Sequence, residues 1–169
     1  MARNIEIKAR IADPVAVREK VVALADAGPT EIAQDDTFFN CPAGRLKLRA
    51  FSNTHGELIF YRRSDQRGPK ESYYVRTATA EPELLRQTLA LAYGEAGRVR
   101  KQRTLFLIGR TRIHLDEVET LGSFLELEVV LGEGEPADAG VREAEDLMSR
   151  LGIKAPQLID RAYIDLLPG

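Results

Sequence analysis

The sequence predicts an α+β domain built on a mostly antiparallel sheet that closes on itself, and three observations carry that prediction. Short alternating segments outnumber the helical ones and follow each other through turns, as antiparallel strands do. Their polar faces are not the usual solvated mixture of Thr, Ser, Gln, Lys and Glu. Arg and Lys dominate most of them, while Glu126 and Glu128 stand together on another. Like charges on one strand face repel, and so do neighbouring bases across strands. A closed sheet gathers all these faces into one lumen, where a bound ion of opposite sign relieves them.

Along the chain, "RNIEIKARI" alternates Asn4, Glu6, Lys8 and Arg10 with Ile5, Ile7, Ala9 and Ile11, which is a strand with one apolar and one polar face. Asp13-Pro14 reads as an N-cap with proline at the first helical position. "VAVREKVVALADA" follows as an amphipathic helix stopped by Gly28-Pro29. A loop is expected through "QDDTFFNCPAG". "RLKLRAF" is a strand with Arg45, Lys47 and Arg49 on one face, and "HGELIFYRRSD" a turn and strand with Tyr61 and Arg63 sharing a face. "QRGPK" reads as a turn, and "ESYYVRTAT" as a strand on which Ser72, Tyr74 and Arg76 alternate in step with Lys70. "EPELLRQTLALAYG" is a second helix. "RVRKQRTLFLIGRTRIHLDEVETLGSFLELEVVL" divides into three strands at Gly109-Arg110 and Leu121-Gly122. "GEGEPADAG" reads as a linker, "VREAEDLMSRLG" as a third helix ended by Gly152, and "APQLIDRAYIDLLP" as a short fourth.

Composition narrows the function. The chain has 169 residues, 44% of them apolar, enough for one domain with a core. A formal charge of −2 speaks against a general nucleic-acid or membrane binder. No apolar run is long enough to span a membrane, no signal peptide is visible, and Cys41 is the single cysteine. These point to a cytoplasmic protein whose Cys41 is a small hydrophobe or loop thiol. Clustered bases beside clustered acids on inward faces call for a ligand that satisfies both. Arg forks and Lys ammonium groups fit phosphate oxygens, and carboxylates fit Mg²⁺ or Mn²⁺. A metal-bound polyphosphate meets both demands.

Seven blocks in order resemble the CYTH family, the triphosphate tunnel metalloenzymes. They are "NIEIK", "DDTFFNCPAGRLKLR", "ELIFYRRSD", "GPKESYY", "VRKQR", "RIHLDEVETLGSFLELE" and "AYIDLL". The resemblance implies a single CYTH domain over residues 1–169, a closed barrel of eight antiparallel strands with helices packed outside, and a lumen that binds a triphosphate. It implies phosphate contacts by Lys8, Arg49, Arg63, Lys70, Lys101 and Arg103, with Lys47 and Arg112 within reach. It implies metal ligation by Glu6, Glu126 and Glu128, and an acidic residue, Asp116, near the metal. Lys8, Lys70 and Asp116 are the candidates for direct participation in the reaction. His114 is read as a hydrogen-bonded structural residue. The implied partner is a triphosphate-containing small molecule, with no nucleic acid or membrane partner, in a monomer or homodimer. The late block looks closest to the class IV adenylyl cyclases, which convert ATP to cyclic AMP and pyrophosphate. A triphosphatase is the alternative, and a non-catalytic polyphosphate binder the third reading. One position departs from the family pattern: Asn4 stands where the first acid of the opening signature belongs.

Overall fold

The computed structural model describes residues 2–168. Eight antiparallel strands form one ring-like sheet: β1 (Ala2–Arg10), β2 (Ala27–Phe39), β3 (Arg45–Ala50), β4 (Gly56–Arg63), β5 (Lys70–Thr79), β6 (Glu95–Ile108), β7 (Thr111–Val118) and β8 (Gly122–Val130). The order around the ring is β1-β5-β4-β3-β2-β6-β7-β8, and β8 pairs back onto β1. Helices α1 (Pro14–Leu24), α2 (Pro82–Tyr93) and α3 (Ala137–Arg150) lie outside, and a short α4 (Tyr163–Leu166) lies near the C-terminus. Among the described residues no helix is long and apolar enough to cross a membrane.

The larger apolar core sits outside the ring, while a smaller cluster of Phe38, Val99, Val118, Phe124 and Tyr163 closes one end of the lumen. Alternation sends Ile5, Ile7 and Ala9 of β1, Ile113 of β7 and Leu125, Leu127 and Val129 of β8 outward, where they bury against Val21 of α1, Ala144 and Leu147 of α3 and Leu151 just beyond it. Each such aliphatic side chain contributes about 1.5–3 kcal/mol on burial. Close contact between α3 and β1 requires Gly140, because a Cβ there would lie 2.7 Å from both Ile5 Cγ1 and Leu131 Cδ2.

Local signals hold at several ends. Asp13 accepts a hydrogen bond from the Ala16 amide at 3.1 Å and caps α1, with Pro14 leading the helix. Gly152 adopts a left-handed φ of 71° just beyond α3. Four expectations need correction. Helix α1 stops at Leu24, and Gly28-Pro29 lies inside β2, where the pairing with β6 shifts register between Ala27 and Thr30. Of the stretch read as a loop, residues 34–39 are the second half of this 13-residue strand, and only 40–44 form the expected connection. Helix α3 begins at Ala137, inside the presumed linker, because its first turn packs on the same core. Residues 155–168 form a 3₁₀ turn at Ala155–Gln157 and the four-residue α4, not one helix.

Candidate active site

Inward-facing residues of all eight strands line a cavity of about 290 Å³. Two buried acids organise its cations. Asp36 of β2 accepts two parallel hydrogen bonds from Arg49 of β3, both at 2.8 Å, and lies 3.4 Å from Lys47 Nζ and 3.6 Å from Lys101 Nζ. Burial alone would raise the Asp36 carboxyl, but Arg49, Lys47 and Lys101 hold it well below the usual range. Burial, reinforced by Arg49, brings Lys47 down to about 8, and burial with Arg103 brings Lys101 down to about 7. Asp116 of β7 holds Arg103 of β6 the same way, at 2.7 and 2.8 Å, and also accepts from the Tyr163 hydroxyl at 2.8 Å.

Residues 158–165 lie across one end of the ring and complete the site there. Leu158 bridges to Ala9, and the Arg161 carbonyl accepts from Lys8 Nζ at 3.3 Å. Asp165 pairs with Arg45 at 2.6 Å. The Tyr163 ring meets Phe124 edge-on and carries the Lys8 ammonium 3.8 Å from its centroid, with that of Lys101 at 5.1 Å.

A metal-capable group stands beside these cations. Ligand atoms of His114, Glu126 and Glu128 all lie within 4.8 Å of one another. Register explains it: on β8, Glu126 is opposite both Lys8 of β1 and His114 of β7, and Glu128 is opposite both Glu6 and Arg112. Burial and the charge of Arg103 push His114 down to about 4, so its imidazole is neutral at neutral pH and free to ligate. Burial opposes ionisation of Glu126, yet Lys8 and Arg103 hold it well below the usual range. Two buried atoms on this wall, His114 Nδ1 and Asn4 Oδ1, have no hydrogen-bond partner. Two carboxylates, a neutral imidazole and an unpartnered amide oxygen suit a hard divalent cation. The chemistry of the donors therefore fits Mg²⁺ or Mn²⁺.

A CYTH domain profile matches residues 2–163. The chain belongs to the CYTH family. It is 24% identical over 170 residues to the adenylate cyclase CyaB of Aeromonas hydrophila, covering 95% of this chain and 86% of that one. Its fold is that of the PH1012 protein of Pyrococcus horikoshii, with a TM-score of 0.86, 24% identity and coverage of 98% and 99% of the two chains. An adenylyl cyclase candidate from Hippeastrum, described as showing a dominant triphosphatase activity, shares the fold at a TM-score of 0.63 and 20% identity, over 89% and 88% of the chains.

Within this CYTH fold, Glu6, Lys8, Lys47, Arg49, Arg63, Lys101, Arg103, Arg112, Glu126 and Glu128 all line the one cavity. Three expected residues sit differently. Glu6 stands outside the three-residue metal-capable group and accepts from Arg63 Nη1 at 2.7 Å. Lys70 is not among the lining residues; its ammonium donates to the Gln66 and Asp160 carbonyls at 3.0 and 3.5 Å. Asp116 lies behind Arg103, 1% exposed. Asp36 and Tyr163 were not singled out in the sequence. Asp36 fell in the supposed loop, and no strand periodicity leads to Tyr163, which reaches the site from the last helix. His114 belongs with the acids, and its place opposite Glu126 was the signal that could have shown this.

Proposed function

We propose that this CYTH protein is a metal-dependent enzyme acting on a triphosphate bound in the lumen of a closed barrel, with adenylyl cyclase-like conversion of ATP to cyclic AMP and pyrophosphate as its reaction. The observation that carries the proposal is the juxtaposition, on the walls of one cavity, of a buried Arg/Lys array and the His114, Glu126 and Glu128 group. Lys8, Lys101, Arg49 and Arg103 would spread over the phosphate oxygens through charge-assisted hydrogen bonds, which strengthen away from water. A divalent ion held by His114, Glu126 and Glu128 would neutralise charge developing at the reacting phosphorus.

Distribution along the lumen favours the cyclase assignment. Lys8 and Lys101 cluster at the end crossed by residues 158–165, around Tyr163. Glu128, Asn4 and Arg112 lie further toward the opposite end, with Arg76 and Phe51 beyond. Terminal phosphates held at the covered end place the first phosphorus, and the organic group attached to it, nearer the metal-capable acids. There a ribose hydroxyl can attack the first phosphorus and release pyrophosphate. Lys8 touches substrate in this reading, Asp116 acts through Arg103, and Lys70 ties the loop before β5 to residue 160. The second reading, hydrolysis of the terminal phosphate, is favoured by the likeness to the Hippeastrum protein.

One incubation series tests the assignment. The protein is supplied with ATP, tripolyphosphate or thiamine triphosphate and with Mg²⁺ or Mn²⁺, and cyclic AMP, pyrophosphate and phosphate are measured together. Cyclic AMP with equal pyrophosphate supports the cyclase. Phosphate alone supports the triphosphatase, and no product under any condition refutes both.

A further inference from the structure

One buried acid in the lumen has no part in the chemistry above. Asp36 is 1% exposed, lines the cavity from β2 and stands outside the metal-capable group. An acid in a phosphate site repels the ligand, so its value must lie in what it does to the cations. We propose that Asp36 is a positioning residue for triphosphate binding. It fixes the Arg49 guanidinium and the Lys47 and Lys101 ammonium groups into one array whose remaining N–H donors face the lumen. The inference rests on the triphosphate reading and names the residue that makes its binding array.

Geometry carries it. Arg49 uses Nε and Nη2 on the two Asp36 oxygens, so the carboxylate dictates the plane of the guanidinium as well as its place. That leaves Nη1 and the second Nη2 hydrogen for a ligand. Lys47 and Lys101 approach one Asp36 oxygen, Oδ2, from β3 and β6, the two strands that flank β2, and each keeps further donors. Three buried cations this close would otherwise repel one another. Burial already lowers Lys47 and Lys101, and the Asp36 charge opposes that loss of charge in both. An array ordered before the ligand arrives loses less side-chain freedom on binding.

Asp36→Asn keeps the shape and removes the charge. Tripolyphosphate is titrated calorimetrically into parent and variant with divalent ions chelated, so that neither turnover nor the metal site contributes. Loss of the shared charge-assisted contacts is expected to weaken binding about tenfold or more. In the double variant Asp36→Asn/Arg49→Ala the loss is expected to be smaller than the product of the two single losses, because both act through one array. In the turnover assay KM rises while kcat stays within about twofold, since the array binds substrate without touching the metal group. Parent binding with Asp36→Asn affinity within about twofold overturns the positioning role alone, and so do independent, multiplying losses in the cycle. A parent that does not bind tripolyphosphate overturns the triphosphate reading itself. Should Asp36→Asn not fold, Arg49→Lys asks the same question from the other partner. An ammonium cannot make the two-pronged contact, so undiminished affinity in that variant also overturns the proposal.

Discussion

Neutralising Glu126 by Glu126→Gln should destabilise the metal-free protein, although the sequence alone shows only two repelling acids on one strand. The structure reverses the sign. Glu126 Oε1 lies 3.3 Å from Lys8 Nζ and Oε2 lies 3.0 Å from Arg103 Nη2, with both bases buried. At 3.3 Å and an effective dielectric of about 20, the first pair alone interacts by about 5 kcal/mol. Much of this is offset, because Arg103 keeps Asp116 and Lys8 keeps the Arg161 carbonyl and the Tyr163 ring. A net loss of about 2–3 kcal/mol is expected, below the roughly 3–5 kcal/mol for an uncompensated buried charge. For a chain of this size that corresponds to a melting temperature lower by about 4–12 °C. The pH dependence gives a second check. Burial raises the Glu126 carboxyl, but Lys8 and Arg103 outweigh it and hold its folded-state pKa well below the unfolded one. Its contribution is therefore full above about pH 4.3 and is lost as pH falls toward the folded value. Urea denaturation from pH 7 down to pH 3 should show parent and variant far apart at neutral pH and converging in acid. Equal stability at pH 7, or a constant gap across the range, would refute the reasoning.

Three further outcomes are expected. His114→Ala should weaken Mn²⁺ binding about tenfold or more by calorimetry, as loss of a ligand does; an unchanged affinity removes His114 from the metal group. Tripolyphosphate affinity should fall as pH rises from 6 to 8, because burial and Arg103 bring Lys101 to about 7 and it loses its proton across this range; Lys101→Met should flatten the profile, and a parent profile already flat rejects the assignment. Asn4→Glu should tighten Mn²⁺ binding while lowering metal-free stability. It places a carboxylate 3% exposed where Asn4 Nδ2 now lies 3.5 Å from Glu128, and unaltered metal dependence would mark Asn4 as no ligand position.

Strand β8 was legible because its outward residues, Leu125, Leu127 and Val129, are apolar and its inward ones, Glu126 and Glu128, are not. The same contrast made β1, β3 and β7 visible. Along β2 the contrast fails on both sides. Inward it carries Gln34 and Asp36 because the lumen is polar, and outward it carries Ala33, Asp35 and Thr37 because that wall meets a shallow hollow beside α2. Neither face reads as apolar, and Gly28-Pro29 at its start and Pro42 behind it read as breaks. The missing strand therefore took Asp36 with it, and with Asp36 the reason the cations converge. Cross-strand register supplied the rest. No pattern along one segment shows that Lys8 flanks Glu126, since that depends on which strands become neighbours. The end of the chain hid Tyr163 for a related reason: a four-residue helix has too few turns to display a period.

The return of β8 to β1 has a consequence for solubility. The outer wall of β5 leaves Tyr73 37% and Val75 51% exposed. In an open sheet, apolar side chains beside a row of unpaired amides and carbonyls would invite a second chain to add a strand. Here every strand already has a hydrogen-bonded neighbour on each side. Over Ser72–Tyr74, where β5 is paired on both sides, the wall meets another molecule through its side chains alone, so a contact around Tyr73 lacks the backbone template that drives fibre-like stacking.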